Sequence, residues 1–387
     1  VGSEMCIRDS LWAIGAWSHY LYTGDADFLA FAYGVVVDAL RRCEETEFDV
    51  ATGLFRGPAV YGDGVAAYPD IYADGNTTGS ILDWRAAHPQ LAAPVGYGMP
   101  MQALSTNCLY YAVYRLLPQM AAELNRDADP AWERKAEALR AAISTRFWDA
   151  AAGRFRYLVD PFGGSDAQEG LGHCFALLFG VATPAQAASI LRAQHITPAG
   201  IPCVWPNFPR YASADGMRFG RHSGTVWPHI QAFWADAAAR AGRDDLLESE
   251  LRQLASKACR DSQFAELYHP LTGEMYGGAQ EQDGAISDIW RSCPRQTWSA
   301  TGYLRVVLRG LFGMRFEPQG IRFQPGLLAG MGQIALRGLP YRRMLLDIVA
   351  QGSGSRVLAC SINGIASAEP FLAADGEGEK AIRITLG

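Results

Sequence analysis

The spacing of apolar residues changes once along this chain of 387 residues, and the change limits the folds open to it. Up to residue 312, apolar residues recur at the three- and four-residue intervals of amphipathic helices. After Gly313 the interval becomes two, the pattern of half-buried strands, as at Ile321 and Phe323 or Ile382 and Ile384. The predicted helices cover residues 11–21, 27–43, 104–124, 130–146, 168–179, 184–192, 225–241, 245–256 and 296–312. The pattern predicts a mainly α region over residues 11–313, built from paired helices, and a small C-terminal antiparallel β-module over residues 314–387.

The first ten residues, VGSEMCIRDS, differ from the rest of the chain. They show neither a helical nor a strand period, and they lack the layout of a signal peptide. The segment resembles translated adapter read-through in assembled bacterial metagenome sequences. We therefore expect residues 1–10 to be a non-native leader that replaces the native N terminus, and the sequence predicts no localisation.

Composition argues against several classes of partner. The formal net charge is −6 and no block of Lys and Arg occurs, whereas nucleic acids and anionic membranes are held by clustered positive charge. No apolar run approaches the roughly 20 residues of a membrane-spanning helix. The eight cysteines show no Cys-x-x-Cys spacing and the histidines have no ligand-spaced partners, so we predict no metal and no cofactor. A small neutral or weakly charged ligand is expected, and the oligomeric state is left open.

Two stretches carry the candidate chemistry. Residues 47–100 lose all periodicity and fill with Gly, Pro, Tyr and Asp, and a long structureless connection inside a domain is usually functional. The stretch 264–278 places Glu266 beside Tyr268 and a turn rich in Pro and Gly, and it is followed by Trp298 in a helical segment. A carboxylate next to aromatic rings is the arrangement expected where a sugar is held on an aromatic floor.

The pattern Glu-x-Tyr-x-Pro-x-Thr-Gly beginning at Glu266, with Thr-Trp-Ser-Ala at residues 297–300, resembles the catalytic-base region of mannosylglycerate-hydrolase-like and family 63 glycoside hydrolases. The resemblance implies an (α/α)6 barrel of six helical hairpins, of which about nine of the twelve helices are present here. It also implies that Glu266 is the general base and that the loop over residues 47–100 supplies the general acid. The Gly-x-Asp-Asn-Ser segment of the family is absent, so Asp63 is our first choice for the acid and Asp70 the second.

Residues 221–227 lie where the resembling enzymes carry Trp-Arg-Gly-Pro-x-Trp, a segment that contacts substrate. His222 and Ser223 depart from that pattern. Glu169 is an alternative carboxylate, although a glutamate in the first turn of a helix also fits stabilisation of the helix dipole. The predicted substrate-binding residues are Tyr61, Asp70, Arg221, His222, Trp227, Tyr268, Gln280 and Trp298.

The resemblance and these residues favour an inverting glycoside hydrolase that cleaves a gluco- or manno-configured, α-linked saccharide or glycoside. Such an enzyme needs a protonated carboxyl on the leaving oxygen and a carboxylate that activates water, so Asp63 and Glu266 should face one pocket, with their carboxyl groups within about 12 Å. Burial against Tyr61 and Tyr68 should raise the pKa of the acid. Two alternatives stay open, namely a disaccharide phosphorylase of a related barrel family and a non-catalytic carbohydrate-binding fragment.

A barrel with nine of twelve helices should also have an open seam. We expect the seam to leave apolar side chains of the first hairpin in water, and three further helices to be encoded upstream. The side chains concerned are Trp12, Ile14, Trp17, Phe28 and Phe31.

Overall fold

Helices dominate the first three quarters of the chain. The structure is a computed structural model that describes residues 3–76, 78–96, 98–288 and 290–387, with the side chains of residues 3–9 left out. The α-helices are α1 (Ser3–Thr23), α2 (Ala26–Thr46), α3 (Asp70–Ala73), α4 (Trp84–Ala87), α5 (Leu104–Glu123), α6 (Ala131–Phe147), α7 (Gly170–Leu178), α8 (Pro184–Ala193), α9 (Pro228–Arg240), α10 (Asp244–Asp261) and α11 (Thr297–Arg305), the last continuing into a π-helical turn (Val306–Leu311).

Local sequence explains where the long helices begin and which face they bury. Asp25 caps α2 by accepting a hydrogen bond from the Phe28 N–H at 2.9 Å. Thr183 and Gln186 form a reciprocal capping box at the start of α8. The buried face of α2 consists of residues three or four apart, namely Leu29, Ala32, Val36, Leu40 and Cys43. Within the described residues, the nine segments with a helical period all form helices, and only the single-turn helices α3 and α4 were not predicted.

The start of α1 differs from the expectation. The predicted helix begins at Leu11, whereas the observed helix extends back to Ser3. No Gly or Pro separates Ser3 from Leu11, so each added residue continues the hydrogen-bond ladder of a helix that is already nucleated. The view that residues 1–10 are a non-native leader stays a prediction.

Five helices form the inner layer that carries the pocket described below. Helices α1, α5, α7, α9 and α11 pack against one another in that order. Helices α2, α6, α8 and α10 each pack against the inner helix that precedes them in the chain. The arrangement is a series of helical hairpins, and it buries a large apolar core that includes Trp234, Tyr110 and Phe147.

Short strand pairs link the helices, and longer strands build the C-terminal module. The strands are β1 (Phe48–Asp49), β2 (Leu54–Phe55), β3 (Gln102–Ala103), β4 (Trp148–Asp149), β5 (Arg154–Phe155), β6 (Leu158–Val159), β7 (Gln168–Glu169), β8 (Val204–Trp205), β9 (Gln280–Gln282), β10 (Ala285–Ser287), β11 (Met314–Glu317), β12 (Gly320–Phe323), β13 (Gln333–Tyr341), β14 (Met344–Gly352), β15 (Val357–Ile362), β16 (Ile365–Ser367), β17 (Phe371–Ala373) and β18 (Gly378–Leu386). The prediction of a helix-rich chain that ends in a sheet module is confirmed.

The C-terminal module contains two sheets. One has the order β11-β12-β17 and the other the order β13-β14-β18-β15-β16. All pairs are antiparallel except β14 with β18, which run parallel from Met344 opposite Gly378 to Gly352 opposite Leu386. The module is therefore antiparallel, as predicted, apart from this one pair. The last strand enters the centre of the sheet after β15 to β17, and a long crossover of this kind permits a parallel partner, which a hairpin does not.

Some aromatic side chains of the first hairpin are in contact with solvent. Phe31 is 62% exposed and Trp12 is 37% exposed, and their rings lie 6.4 Å apart in an edge-on contact. Ile14, Trp17 and Phe28 are partly buried and pack against the core. The expected exposure thus holds for two of the five side chains.

Along the described part of the chain, none of the helices has both the length and the apolar character needed to cross a membrane.

Candidate active site

A strained loop between β2 and α3 carries Asp63. Tyr61 has a φ of +63°, in the left-handed region that a residue with a large side chain rarely adopts. The hydroxyl of Tyr68 holds this conformation, because it accepts a hydrogen bond from the Ala59 N–H at 2.9 Å and donates one to the Gly62 carbonyl at 2.6 Å. A Cβ atom at Gly62 would overlap that hydroxyl, so only glycine fits there. These two hydrogen bonds of the Tyr68 hydroxyl, the Tyr68 clamp, fix the direction in which the Asp63 side chain leaves the loop.

Glu266 is held by hydrogen bonds to the backbone of Cys293. Its N–H donates to the Cys293 carbonyl at 2.8 Å, and its Oε2 accepts from the Cys293 N–H at 3.2 Å. Two residues further on, Tyr268 and Val226 exchange both backbone hydrogen bonds, at 2.8 and 3.0 Å. The segment that carries Glu266 is therefore tied to the turn that precedes α9. Glu266 itself is only 4% exposed.

Arg221 joins the two carboxylates. Its Nη2 atom lies 3.4 Å from Oε1 of Glu266 and 3.6 Å from Oδ2 of Asp63, so these two oxygens are at most about 7 Å apart. The guanidinium is also stacked on the ring of Trp290, with 3.6 Å between its carbon and the ring centroid. The structure thus brings the two predicted carboxylates together, well within the expected 12 Å. The distance is short enough for both to act on one bound molecule.

A cavity of about 300 Å³ opens above Asp63. Helices α1 and α11, the two ends of the inner series, both contribute to it, and aromatic rings form much of its wall. Trp298 lies 6.1 Å from Tyr61 and 6.3 Å from Trp227, measured between ring centroids. Aromatic and apolar walls with a few convergent polar groups are typical of sites for small ligands. The lining consists of Leu11, Pro58, Ala59, Tyr61, Gly62, Asp63, Ile81, Arg221, Trp227 and Trp298.

The protonation of Asp63 differs from the expectation. Burial by itself would raise the pKa of this carboxyl, as predicted. The contact with His222 and the charge of Arg221 outweigh burial and lower the pKa to about 2. The expected rise in pKa is therefore wrong for the unliganded protein, in which Asp63 is ionised at neutral pH. The expectation considered only the loop around Asp63, whereas both residues that decide its pKa come from the segment before α9.

Four of the predicted substrate-binding residues line the cavity, namely Tyr61, Arg221, Trp227 and Trp298. The other four lie elsewhere. Asp70 is not among the residues that line this cavity, and it pairs with Arg210 at 2.7 Å. Tyr268 is fully buried, and its hydroxyl accepts a hydrogen bond from the Ala265 N–H at 2.8 Å.

Gln280 and His222 also lie behind the wall of the cavity. Gln280 is 8% exposed and packs against Gly79. His222 is fully buried behind Asp63, with Nε2 3.3 Å from Oδ1 of that residue. Neither residue is among those that line the cavity.

Glu169, the alternative carboxylate, lies in the core. It precedes α7, and its Oε2 accepts a hydrogen bond from the Ser105 N–H at the start of α5, at 3.0 Å. Burial raises the pKa of Glu169 to about 8. Glu169 is therefore a neutral carboxyl at neutral pH that joins the first turns of two inner helices, and it does not line the cavity.

Sequence reasoning missed several residues at the cavity. Ile81 and Pro58 belong to the aperiodic segment 47–100, where no pattern distinguishes a wall residue from a turn residue. His229, in the first turn of α9, lies behind the lining residue Tyr61, with 4.4 Å between ring centroids, and no described residue bonds to its ring nitrogens. The helical period predicts only that His229 lies on an inner face.

Comparison with known proteins identifies a family of enzymes. Residues 3–299 match the family described as the mannosylglycerate hydrolase MGH1-like glycoside hydrolase domain. A curated mannosylglycerate hydrolase from Rubrobacter radiotolerans is 26% identical over 215 residues, which is 54% of this chain and 44% of the relative. The chain therefore spans less than half the length of that relative.

Solved structures show the same fold at low identity. A sialidase aligns with a TM-score of 0.64 and 16% identity, over 94% of this chain and 32% of its own. A family 78 rhamnosidase of Bacillus sp. GL1 aligns with a TM-score of 0.54 and 14% identity, over 97% of this chain and 34% of its own. A family 63 mannosylglycerate hydrolase from Thermus thermophilus, in complex with Tris and D-glycerate, aligns with a TM-score of 0.51 and 15% identity, over 73% of this chain and 72% of its own.

Proposed function

This chain belongs to the MGH1-like glycoside hydrolase family. We propose that it hydrolyses a glycosidic bond at this cavity, with Asp63 and Glu266 as the two reacting carboxylates. The observation that carries the proposal is the ion-pair bridge through Arg221, a residue of the cavity wall, which holds the buried Glu266 close to Asp63 although Glu266 itself is not among the lining residues. Asp63 is the general acid on the leaving oxygen, and Glu266 is the general base for water.

We assign the inverting course to the reaction. Inverting enzymes hold their carboxyl groups roughly 6.5–9.5 Å apart to admit a water molecule, and retaining enzymes about 5–5.5 Å apart. The oxygens of Asp63 and Glu266 that face Arg221 lie 3.6 and 3.4 Å from one guanidinium nitrogen, so the upper limit of about 7 Å on their separation reaches into the inverting range. A gap that holds a guanidinium group can hold a water molecule once that group shifts.

A general acid must be protonated when the substrate is bound. The surroundings of Asp63 allow its pKa to rise on substrate binding. Its side chain is 52% exposed toward the cavity, so a sugar ring would cover it and remove solvent from its charged form. Arg221 is also stacked on Trp290 and paired with Glu266, so it can leave Asp63 and keep these two partners. Both changes raise the pKa of Asp63 in the complex.

The substrate we propose is a gluco- or manno-configured saccharide or glycoside with an α-linkage. Tyr61, Trp227 and Trp298 supply the aromatic faces on which the apolar side of a sugar ring stacks. The mannosylglycerate hydrolase of Thermus thermophilus has also been solved in complex with glucose, and its TM-score with this chain is 0.50. That likeness supports the choice of sugar class without specifying the linkage.

We further propose that the helices belong to an (α/α)6 barrel of twelve helices, with α1, α5, α7, α9 and α11 in its inner ring. Two observations support this: the inner helices pack in succession, and the first and last of them line the same cavity. The catalytic unit then ends near residue 313, and residues 314–387 form a separate β-module.

The phosphorylase alternative has no support from the segment that would have to bind phosphate. Arg221 is paired with both carboxylates, and His222 and Ser223 are fully buried. The Ser223 hydroxyl already accepts a hydrogen bond from the Phe208 N–H at 2.6 Å. We therefore retain hydrolysis as the proposed reaction.

The test is a screen of aryl glycosides and disaccharides, with NMR detection of the first anomer released. Glu266→Gln and Asp63→Asn keep the shape of each side chain but cannot exchange the proton, so each should lower turnover by about 10²-fold or more. Asp70→Asn, which alters a carboxylate paired outside the cavity, is the control and should keep wild-type activity. Losses below about tenfold for both catalytic variants would contradict the proposal.

A further inference from the structure

His222 is held rigidly beneath Asp63. The side chain is fully buried, and its ring stacks on Trp227 with 4.9 Å between centroids and 17° between planes. On its other side the ring meets the loop backbone so closely that a Cβ atom at Gly64 would lie 3.1 Å from its Cε1 atom. Neither ring nitrogen is exposed, and neither makes a well-aligned hydrogen bond within the described residues. The ring can neither rotate freely nor turn toward solvent.

Asp63 is the polar group that this ring faces at close range. Nε2 of His222 lies 3.3 Å from Oδ1 of Asp63, while Arg221 faces the other oxygen, Oδ2, at 3.6 Å. The two carboxylate oxygens therefore have different partners, a stacked imidazole at Oδ1 and a guanidinium at Oδ2. The remaining charged or titratable groups around the ring are Glu266 and His229. Glu266 is separated from Asp63 by Arg221, and His229 lies on α9 beyond Trp227.

We propose that His222 is a positioning residue that orients the Asp63 carboxyl toward the cavity and sets the pH range in which this carboxyl can donate a proton. The inference rests on the proposed role of Asp63 as the general acid. A contact of 3.3 Å without good alignment is what an unliganded site often shows, and such contacts tighten when substrate binds.

The neutral state of His222 determines how its removal changes the pKa of Asp63. Burial disfavours the imidazolium form and lowers the pKa of His222, so the ring is neutral at neutral pH. A neutral imidazole that donates its N–H to Oδ1 stabilises the ionised carboxylate and lowers the pKa of Asp63. Removal of this donor should raise the pKa of the acid. Since loss of the proton from the acid determines the alkaline limb of the pH profile, that limb should move to higher pH.

The experiment compares His222→Leu with His222→Gln. Leucine has a similar volume and no donor, whereas the glutamine amide can place an N–H near the position of Nε2. The readout is kcat as a function of pH on a phenyl glycoside, because kcat reports the ionisations of the enzyme–substrate complex and the phenyl leaving group needs a proton. His222→Leu should move the alkaline limb upward by about one pH unit, and His222→Gln should leave it near the wild-type position. His173→Leu, which removes a buried histidine bonded to the Phe155 carbonyl, controls for loss of an imidazole from the core.

The pH profiles separate failure of the inference about His222 from failure of the proposed function. An unmoved alkaline limb in His222→Leu would overturn the inference. A shift of the acidic limb alone would contradict the acid role of Asp63, and with it the proposed function. A second measurement does not need activity: carbon NMR titration of the Asp63 carboxyl, assigned by difference from Asp63→Asn, should show a higher pKa in folded His222→Leu than in the wild type. An equal pKa in the two proteins would also overturn the inference.

Discussion

Replacement of Asp236 by asparagine should destabilise the junction between the helices and the C-terminal module. Asp236 on α9 is fully buried, and three arginines converge on its carboxylate. Arg305 on α11 lies 2.6 Å away, Arg240 on α9 lies 3.1 Å away and Arg315 on β11 lies 3.6 Å away. Loss of one partner from a buried ion pair costs about 3–5 kcal/mol, because the remaining charge stays buried without compensation. Asparagine keeps the shape of the side chain, so the cost comes from the lost charge.

This change can be measured by urea unfolding, followed by circular dichroism and tryptophan fluorescence. The expected loss is a large fraction of the roughly 5–15 kcal/mol that separates folded from unfolded domains. Asp38→Asn is the matched control, because Asp38 and Arg41 form an exposed pair at 3.5 Å, and such pairs contribute about 0–1 kcal/mol. A loss below about 1 kcal/mol for Asp236→Asn would refute the reasoning, since the cluster would then behave like a surface pair.

The pH dependence of this stabilisation has a defined sign. Burial by itself would raise the pKa of Asp236, but the charges of Arg305 and the neighbouring arginines lower it below the ordinary value of 3.8. The stabilisation is therefore fully present above that value, and it is lost as the pH falls through the lowered pKa.

Two further changes test the surroundings of the site. Burial raises the pKa of Glu169 from 4.5 to about 8. Between these pH values the folded protein keeps the proton on Glu169, whereas the unfolded chain has released it. The free energy of unfolding therefore falls as the pH rises from 4.5 to about 8. Glu169→Gln should remove this dependence, and parallel unfolding midpoints across the window for variant and wild type would contradict it. Tyr68→Phe leaves the Ala59 N–H and the Gly62 carbonyl without their partner, which should cost about 1–3 kcal/mol and lower kcat/KM by loosening the Asp63 loop. Tyr72→Phe is its control, because the Tyr72 hydroxyl bonds Asp160 outside the cavity, and equal losses of kcat/KM in both variants would contradict the role of the clamp.

The elements of the fold follow closely from local sequence. Amphipathic helices such as α2 and α10 carry their apolar residues on one face, and strands β12 to β15 and β18 occur where the alternation predicts them. The parallel pairing of β14 with β18 was not predictable from that alternation. Alternation reports which face of a strand is buried, but not which strand lies beside it.

The candidate site was likewise predictable from the sequence only in part. The motif at Glu266 and the glycines around Asp63 mark two carboxylates that the structure brings together. The pKa of Asp63 could not be predicted, because it depends on His222 and Arg221, which are distant in sequence. Tyr268 lies in the motif and has an aromatic ring, yet it is fully buried, since a motif records residue type and spacing but not side-chain direction.

The division of roles between Asp63 and Glu266 is tested most directly by varying the leaving group. Asp63→Asn and Glu266→Gln are compared on a dinitrophenyl glycoside, whose leaving group needs no proton, and on the phenyl glycoside of the same sugar. If Asp63 is the acid, Asp63→Asn should cleave the dinitrophenyl substrate at close to the wild-type rate and lose about 10²-fold or more on the phenyl substrate, while Glu266→Gln should lose activity on both. Equal losses of Asp63→Asn on the two substrates would contradict the assignment of Asp63 as the acid.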